Sequence, residues 1–174
     1  MRTKLDWRPL GLMGAVLLAG LWMGQAAEKK PTPAIDRARK QAQMLDDLYK
    51  TAIVLITENY VQETTDLAAG DAFQALFKVM KDKGYHEVRL LDATGEPYDE
   101  DNTPRPGFEA DAIKALKGGK TTFEKVVTED GKRKLLIATP VPVVLEKCTL
   151  CHAHYAKVKD GEIIGALSYT IPIE

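Results

Sequence analysis

Near the end of a 174-residue chain stands Cys148-Thr149-Leu150-Cys151-His152. These two cysteines are the only ones in the sequence, and the histidine that follows is one of three. Two cysteines at this spacing let one short turn present both sulfurs to the same partner, and the next imidazole can reach a metal beside them. Covalent attachment of haem c needs just these groups: the sulfurs of Cys148 and Cys151 add across two vinyl groups, and His152 ligates the iron. The constraint on the fold is strong, because the elements around the motif must leave a cleft for one macrocycle. Both thiols are spent on it, so no disulfide framework remains to hold the chain.

Two other chemistries use a Cys-X-X-Cys. Zinc wants two further ligands at a regular spacing, and the sequence offers only His86 and His154 besides the motif histidine. A dithiol redox pair usually opens a helix in a βαβ setting. Here the motif follows the extended, Pro-punctuated run Thr139-Pro140-Val141-Pro142-Val143-Val144-Leu145. Haem c is the expectation, with the redox pair as its nearest rival.

The start of the chain agrees with that expectation. Arg2, Lys4 and Arg8 precede an apolar run from Leu10 to Met23, and Gly24-Gln25-Ala26 forms a small-X-small cleavage pattern. Residues 1–26 therefore read as an export signal, with an uncleaved membrane anchor as the alternative. Either places the rest of the chain in the periplasm or otherwise outside the cytoplasm. Removing 26 of 174 residues leaves 148, enough for one domain with its own core. Over that portion 21 Lys and Arg stand against 24 Asp and Glu. This mild negative balance, with no basic stripe, gives no reason to expect nucleic acid.

Residues 27–33 are a polar, Pro-containing linker, and 34–174 form a single domain. Ala34 to about Val61 lacks Gly and Pro and reads as one long helix. Ala38, Leu45, Ala52 and Asn59 recur every seven residues, with Leu48 and Leu55 interleaved. Packing on the domain's own sheet accounts for that pattern. A homodimer through the helix is the alternative, which a monomer in sedimentation would remove. A second helix spans about Asp66 to Lys83 and stops at Gly84, with Ala69, Ala72, Phe73, Leu76, Phe77 and Met80 on one apolar face.

Tyr85 to Asp92 alternates as a strand, with His86, Val88 and Leu90 on one face and Glu87, Arg89 and Leu91 on the other. An acidic, Pro-rich loop leads to a short helix from Phe108 to Leu116. Thr121 to Thr128 and Lys134 to Val144 form a hairpin about Asp130-Gly131. After the motif and a turn at Lys157 to Gly161, Glu162 to Ile173 is a last strand, with Ile163, Gly165, Leu167, Tyr169 and Ile171 on one face. Helices first and a meander of strands after them predict an α+β fold, one antiparallel sheet covered by the N-terminal helices, with the haem in a strand-to-strand connection.

An export signal, a long helix, the strand Gly84-Tyr-His-Glu-Val-Arg-Leu-Leu-Asp92, the loop Asn102-Thr-Pro-Arg-Pro106, a hairpin, and Ala138-Thr-Pro-Val-Pro142 leading to Cys148 together resemble the c-type-haem PAS-like domains, formerly a domain of unknown function. The likeness runs from about Leu45 to Ile173. It implies a PAS-like sheet of about five strands cradling one covalent haem, with His152 as proximal ligand, in proteins suspected of sensing redox state or small gases. Some relatives are input domains of membrane receptors, so a redox partner or a membrane signalling protein is an implied partner. In certain members a cysteine on the helix before the first strand is the second axial ligand. That position falls near Ala69 here, and with no third cysteine a His/Cys-ligated iron is excluded.

The face opposite His152 decides the function. A strong second ligand favours electron transfer, and an open position admits a diatomic gas. Met80 and His86 are the candidates for a distal ligand; His154 sits too close to the attachment turn, and Tyr49 and Tyr60 are remoter choices. Arg105 and Lys147 could pair with the propionates. The reading that follows is an exported monohaem redox- or gas-responsive module. The alternative is a small electron-transfer cytochrome c closed by Met80 or His86. An enzyme is not expected, because peroxidase or nitrogen-oxide chemistry needs an acid–base pair over the iron and the sequence supplies only His86.

Overall fold

A computed structural model describes residues 32–63, 69–146, 148–159 and 161–174, with Leu150 and Cys151 given by their backbone alone. The expected export signal, most of the linker, the first residues of the second helix and Lys147 lie outside the described residues. Among those described, no helix is long and apolar enough to cross a membrane.

Pro33 opens helix α1 (Pro33–Asn59), where its fixed φ suits the first turn and its missing N–H costs nothing. Ala38, Ala42, Leu45 and Tyr49 are buried along one stripe of that helix. Leu48 and Leu55, the interleaved members of the sequence heptad, face solvent at 59% and 52% exposure. Of the seven-residue pattern, Ala38, Leu45 and Ala52 serve the helix's own sheet. Helix α2 (Ala69–Asp82) buries Phe73 and Phe77. It ends where the sequence places its cap: Gly84 has φ 74°, its N–H donates to the Lys81 carbonyl at 2.8 Å, and the Tyr85 N–H donates to the Met80 carbonyl at 3.1 Å. Those two crossed bonds satisfy carbonyls that a helix end leaves orphaned, and they need a left-handed residue at Gly84.

Strands β1 (Glu87–Asp92), β2 (Phe123–Glu129), β3 (Lys132–Pro142) and β4 (Ile163–Pro172) form one antiparallel sheet in the order β1-β4-β3-β2. Helix α3 (Phe108–Lys117) lies between β1 and β2 in sequence. The β2–β3 turn is Asp130-Gly131, both with positive φ (50° and 73°), the pair of values that matches the twist of a two-residue hairpin. The sheet has four strands among the described residues, against the about five that the resemblance implies. After β1, where the chain could have paired again, Pro97, Pro104 and Pro106 carry no ladder donors. The Asp92 and Asp99 side chains accept from the backbone N–H groups of Gly95 and Asp101, so that segment is spent on turns.

Both faces of the sheet are covered. Val88, Leu135, Ile137, Leu167, Tyr169 and Ile171 pack against the stripes of α1 and α2. On the opposite face Leu91, Ala138 and Ala166 pack against Ala112 and Leu116 of α3. Ile163 departs from the face expected of it and joins the α3 side, because the β3–β4 register shifts at Val141/Pro142 and the alternation changes there. At Gly165 the strands come so close that a Cβ would lie 2.5 Å from the Leu91 carbonyl oxygen.

A polar cluster bolts α1 to the sheet. Asp46 Oδ1 accepts from Thr139 Oγ1 at 2.6 Å and from the Tyr169 hydroxyl at 2.9 Å. Lys50 Nζ donates to Asp46 Oδ2 at 3.0 Å, to Thr139 Oγ1 at 3.0 Å and to the Pro140 carbonyl at 2.8 Å. Burial, and then the Asp46 charge, push the Tyr169 phenol well above the ordinary tyrosine range, so it stays a donor.

His86 is 6% exposed and shares a 2.9 Å hydrogen bond between Nε2 and the Tyr49 hydroxyl. Burial lowers its pKa, so the native state holds it neutral more firmly than the unfolded chain does. The stability it contributes is complete above the unfolded value of about 6.5 and is lost as pH falls toward the lower folded value. His86→Gln keeps a neutral hydrogen-bonding side chain that does not titrate. It is expected to flatten the fall in Tm between pH 7.5 and pH 5.5 relative to the unaltered protein; equal falls would show that His86 carries none of it.

Candidate functional site

Strand β3 delivers the chain to the motif. After Pro142 the backbone leaves the sheet, and the Cys148 and Thr149 N–H groups donate to the Leu145 and Glu146 carbonyls at 3.1 and 2.9 Å. Helix α4 (Cys148–Cys151) is one turn, closed by the His152 N–H on the Cys148 carbonyl at 3.3 Å. Two residues three apart on a single helical turn share a side of it, which is how a Cys-X-X-Cys aims two sulfurs at one object. A 3-10 turn over Ala153–Lys157 follows, started by the Tyr155 N–H on the His152 carbonyl at 2.9 Å.

Beside this turn lies a cleft of about 210 Å³. Its walls are Ile53, Val54, Thr57 and Val61 of α1 and its C-terminal continuation, Ala69 and Gly70 at the start of α2, Leu90, Val141, Ile164 and Leu167 of the sheet, and Val144 and Leu145 before the motif. Cys148, His152 and Tyr155 complete it. An apolar cleft with a few convergent polar groups is the usual form of a cofactor site. Lys50 is the one cationic side chain among its described lining residues.

Aromatic rings fix the His152 imidazole. Tyr155 stacks on it at 4.5 Å between centroids and 17° between planes, and Tyr98 and His154 meet it edge-on at 5.4 and 5.9 Å. Burial lowers the His152 pKa, His154 adds to that, and Asp71 opposes it. The neutral ring so favoured is the form that ligates a metal. His152 Nδ1 is buried and has no hydrogen-bond partner among the described residues. A buried polar atom left so is costly, and it suits a ring whose partner is a bound group rather than the protein. Tyr155 is pushed up to about 12, by burial first and then by Asp92 and Cys148, so it remains a neutral phenol in the cleft.

The residues present therefore fit a covalently held haem: Cys148 and His152 at the wall, the imidazole packed between rings and favoured neutral, apolar surfaces for the macrocycle. The Cys151 side chain lies outside the described atoms, as does Lys147. Met80 and His86 are not brought to this cleft. Ala69 lines it, and Met80 lies eleven residues further along α2, about 16 Å at 1.5 Å per residue, half-buried at the helix's other end. His86 follows that same end and is held by Tyr49 beside a separate cavity lined by Arg37, Gln41 and Tyr85. Tyr60 is 77% exposed, Tyr49 is in the core, and Arg105 is exposed. His154 lines a different cavity, with Lys117 and Lys157. At Ala69, where the resemblance places a second ligand in some relatives, a methyl group faces the cleft region instead.

Sequence reasoning missed Lys50, Tyr98 and Tyr155. Tyr155 could have been found three residues beyond His152, within one turn of it. Lys50 was visible only as an Asp46–Lys50 pair at helical spacing, which by itself says nothing of a cleft.

Fold and site together define an α+β domain whose single Cys-X-X-Cys-His turn borders an apolar cleft between two helices and an antiparallel sheet. A model of the Tll0287-like family matches residues 28–172, and the chain belongs to that family. Among solved structures it is similar to the crystal structure of the cyanobacterial heme-protein Tll0287, at TM-score 0.56 and 15% identity, covering 82% of this chain and 97% of that one. At that identity the likeness speaks for the fold. A search of curated proteins gives no match.

Proposed function

We propose that this chain is an exported protein that binds one haem covalently through Cys148 and Cys151, with His152 as proximal ligand, and that it serves as a redox- or small-gas-responsive module. One observation carries the reading: Cys148 and the boxed, neutral His152 share an apolar cleft that neither Met80 nor His86 lines. Membership of the Tll0287-like family and a fold shared with a heme-protein support the haem itself. When bound, the haem supplies an iron that changes oxidation state by one electron and takes a diatomic gas where a coordination position is open.

The chain's own residues do the rest. Tyr155 and Tyr98 hold the His152 ring in one orientation, and Val54, Val61, Ile164 and Leu167 keep water from the cleft. Ala69 and Gly70 leave room where a ligating side chain would otherwise stand. A redox partner or membrane signalling protein belongs to the same proposal, as does pairing of two copies through the exposed Leu48 and Leu55 of α1. The electron-transfer cytochrome closed by Met80 or His86 finds no support in where those residues lie.

Carbon monoxide added to the reduced holoprotein is expected to shift its Soret band, and Met80→Ala and His86→Ala are expected to leave the spectra of both oxidation states unchanged. A reduced spectrum that is fully low-spin and indifferent to carbon monoxide, altered in either variant, would return the electron-transfer reading.

A further inference from the structure

Resting on the haem reading above, we infer that the Asp46–Lys50 pair is a fixed charge device that sets the reduction potential of an iron held in the cleft. Lys50 is one of the residues that line the cleft, and Asp46, its partner at 3.0 Å, is not. All three donors of the Lys50 ammonium are occupied, by Asp46, Thr139 and the Pro140 carbonyl. It therefore has no hydrogen bond to spare for a propionate and acts through its charge alone. Asp46 is equally pinned, by Lys50, Thr139 and Tyr169. The result is a fixed ion pair whose cationic member, and not its anionic one, belongs to the residues lining the cleft.

A positive charge beside low-dielectric walls favours the state of the iron with less positive charge. In the titration one electron passes from the electrode, through a soluble one-electron mediator, to ferric iron, giving ferrous iron with no bond made or broken. Lys50 stabilises that product, and Asp46 offsets part of the effect. The pair is thus a positioning and tuning element that never touches the iron.

Spectroelectrochemical titration of purified holoprotein tests this. Lys50→Met is expected to lower the midpoint potential, Asp46→Asn to raise it, and the double variant to lie between them. Lys81→Met, at the far end of α2 where Lys81 pairs with Glu87 of β1, is expected to leave it unmoved. A purely structural role would lower Tm in both single variants without shifts of opposite sign in potential. If Asp46→Asn does not fold, Lys50→Met decides alone: an unchanged or raised potential with haem retained overturns the assignment. Absence of covalent haem from the unaltered protein would instead overturn the reading on which it rests.

Discussion

Cys148→Ser/Cys151→Ser protein is expected to lose its haem completely to acid and organic solvent, whereas the unaltered chain keeps it through denaturation, heavier by one haem in mass spectrometry. Two thioether bonds survive any unfolding of the cleft; without them only the His152 ligand and the apolar walls remain, and both dissolve with the fold. Cys148→Ser alone separates two accounts. One remaining thioether at Cys151 still survives extraction, so complete loss in the single variant would mean that Cys151 is not attached. His152→Ala is the complementary change. It keeps the covalent haem and removes the proximal ligand, so the haem stays with the chain through extraction while the spectra of both oxidation states change. Haem that leaves the unaltered protein on extraction would defeat the c-type assignment outright.

Tyr169→Ala is expected to produce the largest loss of stability from a residue outside the cleft. Tyr169 is fully buried at the centre of β4, where it belongs to the cluster formed with α1 and α2. Removing a buried ring of that size costs about 3–5 kcal/mol, through lost transfer free energy and the cavity left behind. For a domain of this length that is a fall in Tm of roughly 10 °C. Tyr169→Phe keeps the ring and removes only the donor to Asp46 Oδ1; the half-buried carboxylate keeps Thr139 and Lys50, and about 1–3 kcal/mol is expected from the lost hydrogen bond to a charged group. Thermal unfolding of both variants divides packing from hydrogen bonding. If Tyr169→Phe were as destabilising as Tyr169→Ala, the polar cluster rather than the ring would hold α1 on the sheet.

Much of the fold was legible because short-range chemistry decided it. The Gly84 cap, the Asp130-Gly131 hairpin and the α3 boundaries each follow from residues within a few positions of one another. Among the described residues the sheet stops at four strands for the same kind of reason, since the prolines after β1 and the Asp side chains that cap its turns withdraw that backbone from any ladder. Ile163 changed faces because a register shift at Val141/Pro142 is a property of two paired strands, and no single strand's alternation records it.

The sequence by itself determined that two thiols and an imidazole stand together, the groups that covalent haem attachment needs. Cys148, Cys151 and His152 are neighbours along the chain, so their spacing on one turn needs no tertiary information. It also determined that α1 and α2 have apolar faces and that an antiparallel sheet follows them. Only the tertiary structure decided that neither Met80 nor His86 lines the cleft that His152 borders. Periodicity placed Met80 on the inward face of α2 but could not say which end of that helix meets the cleft, and the helix is long enough to put Met80 about 16 Å beyond Ala69. His86, just before β1, was claimed by Tyr49 from another element. Lys50 reached the cleft because α1 packs on β3 and β4 where Asp46, Thr139 and the Pro140 carbonyl can hold it. Those distances belong to packing between elements far apart in the chain, and no local pattern carries them.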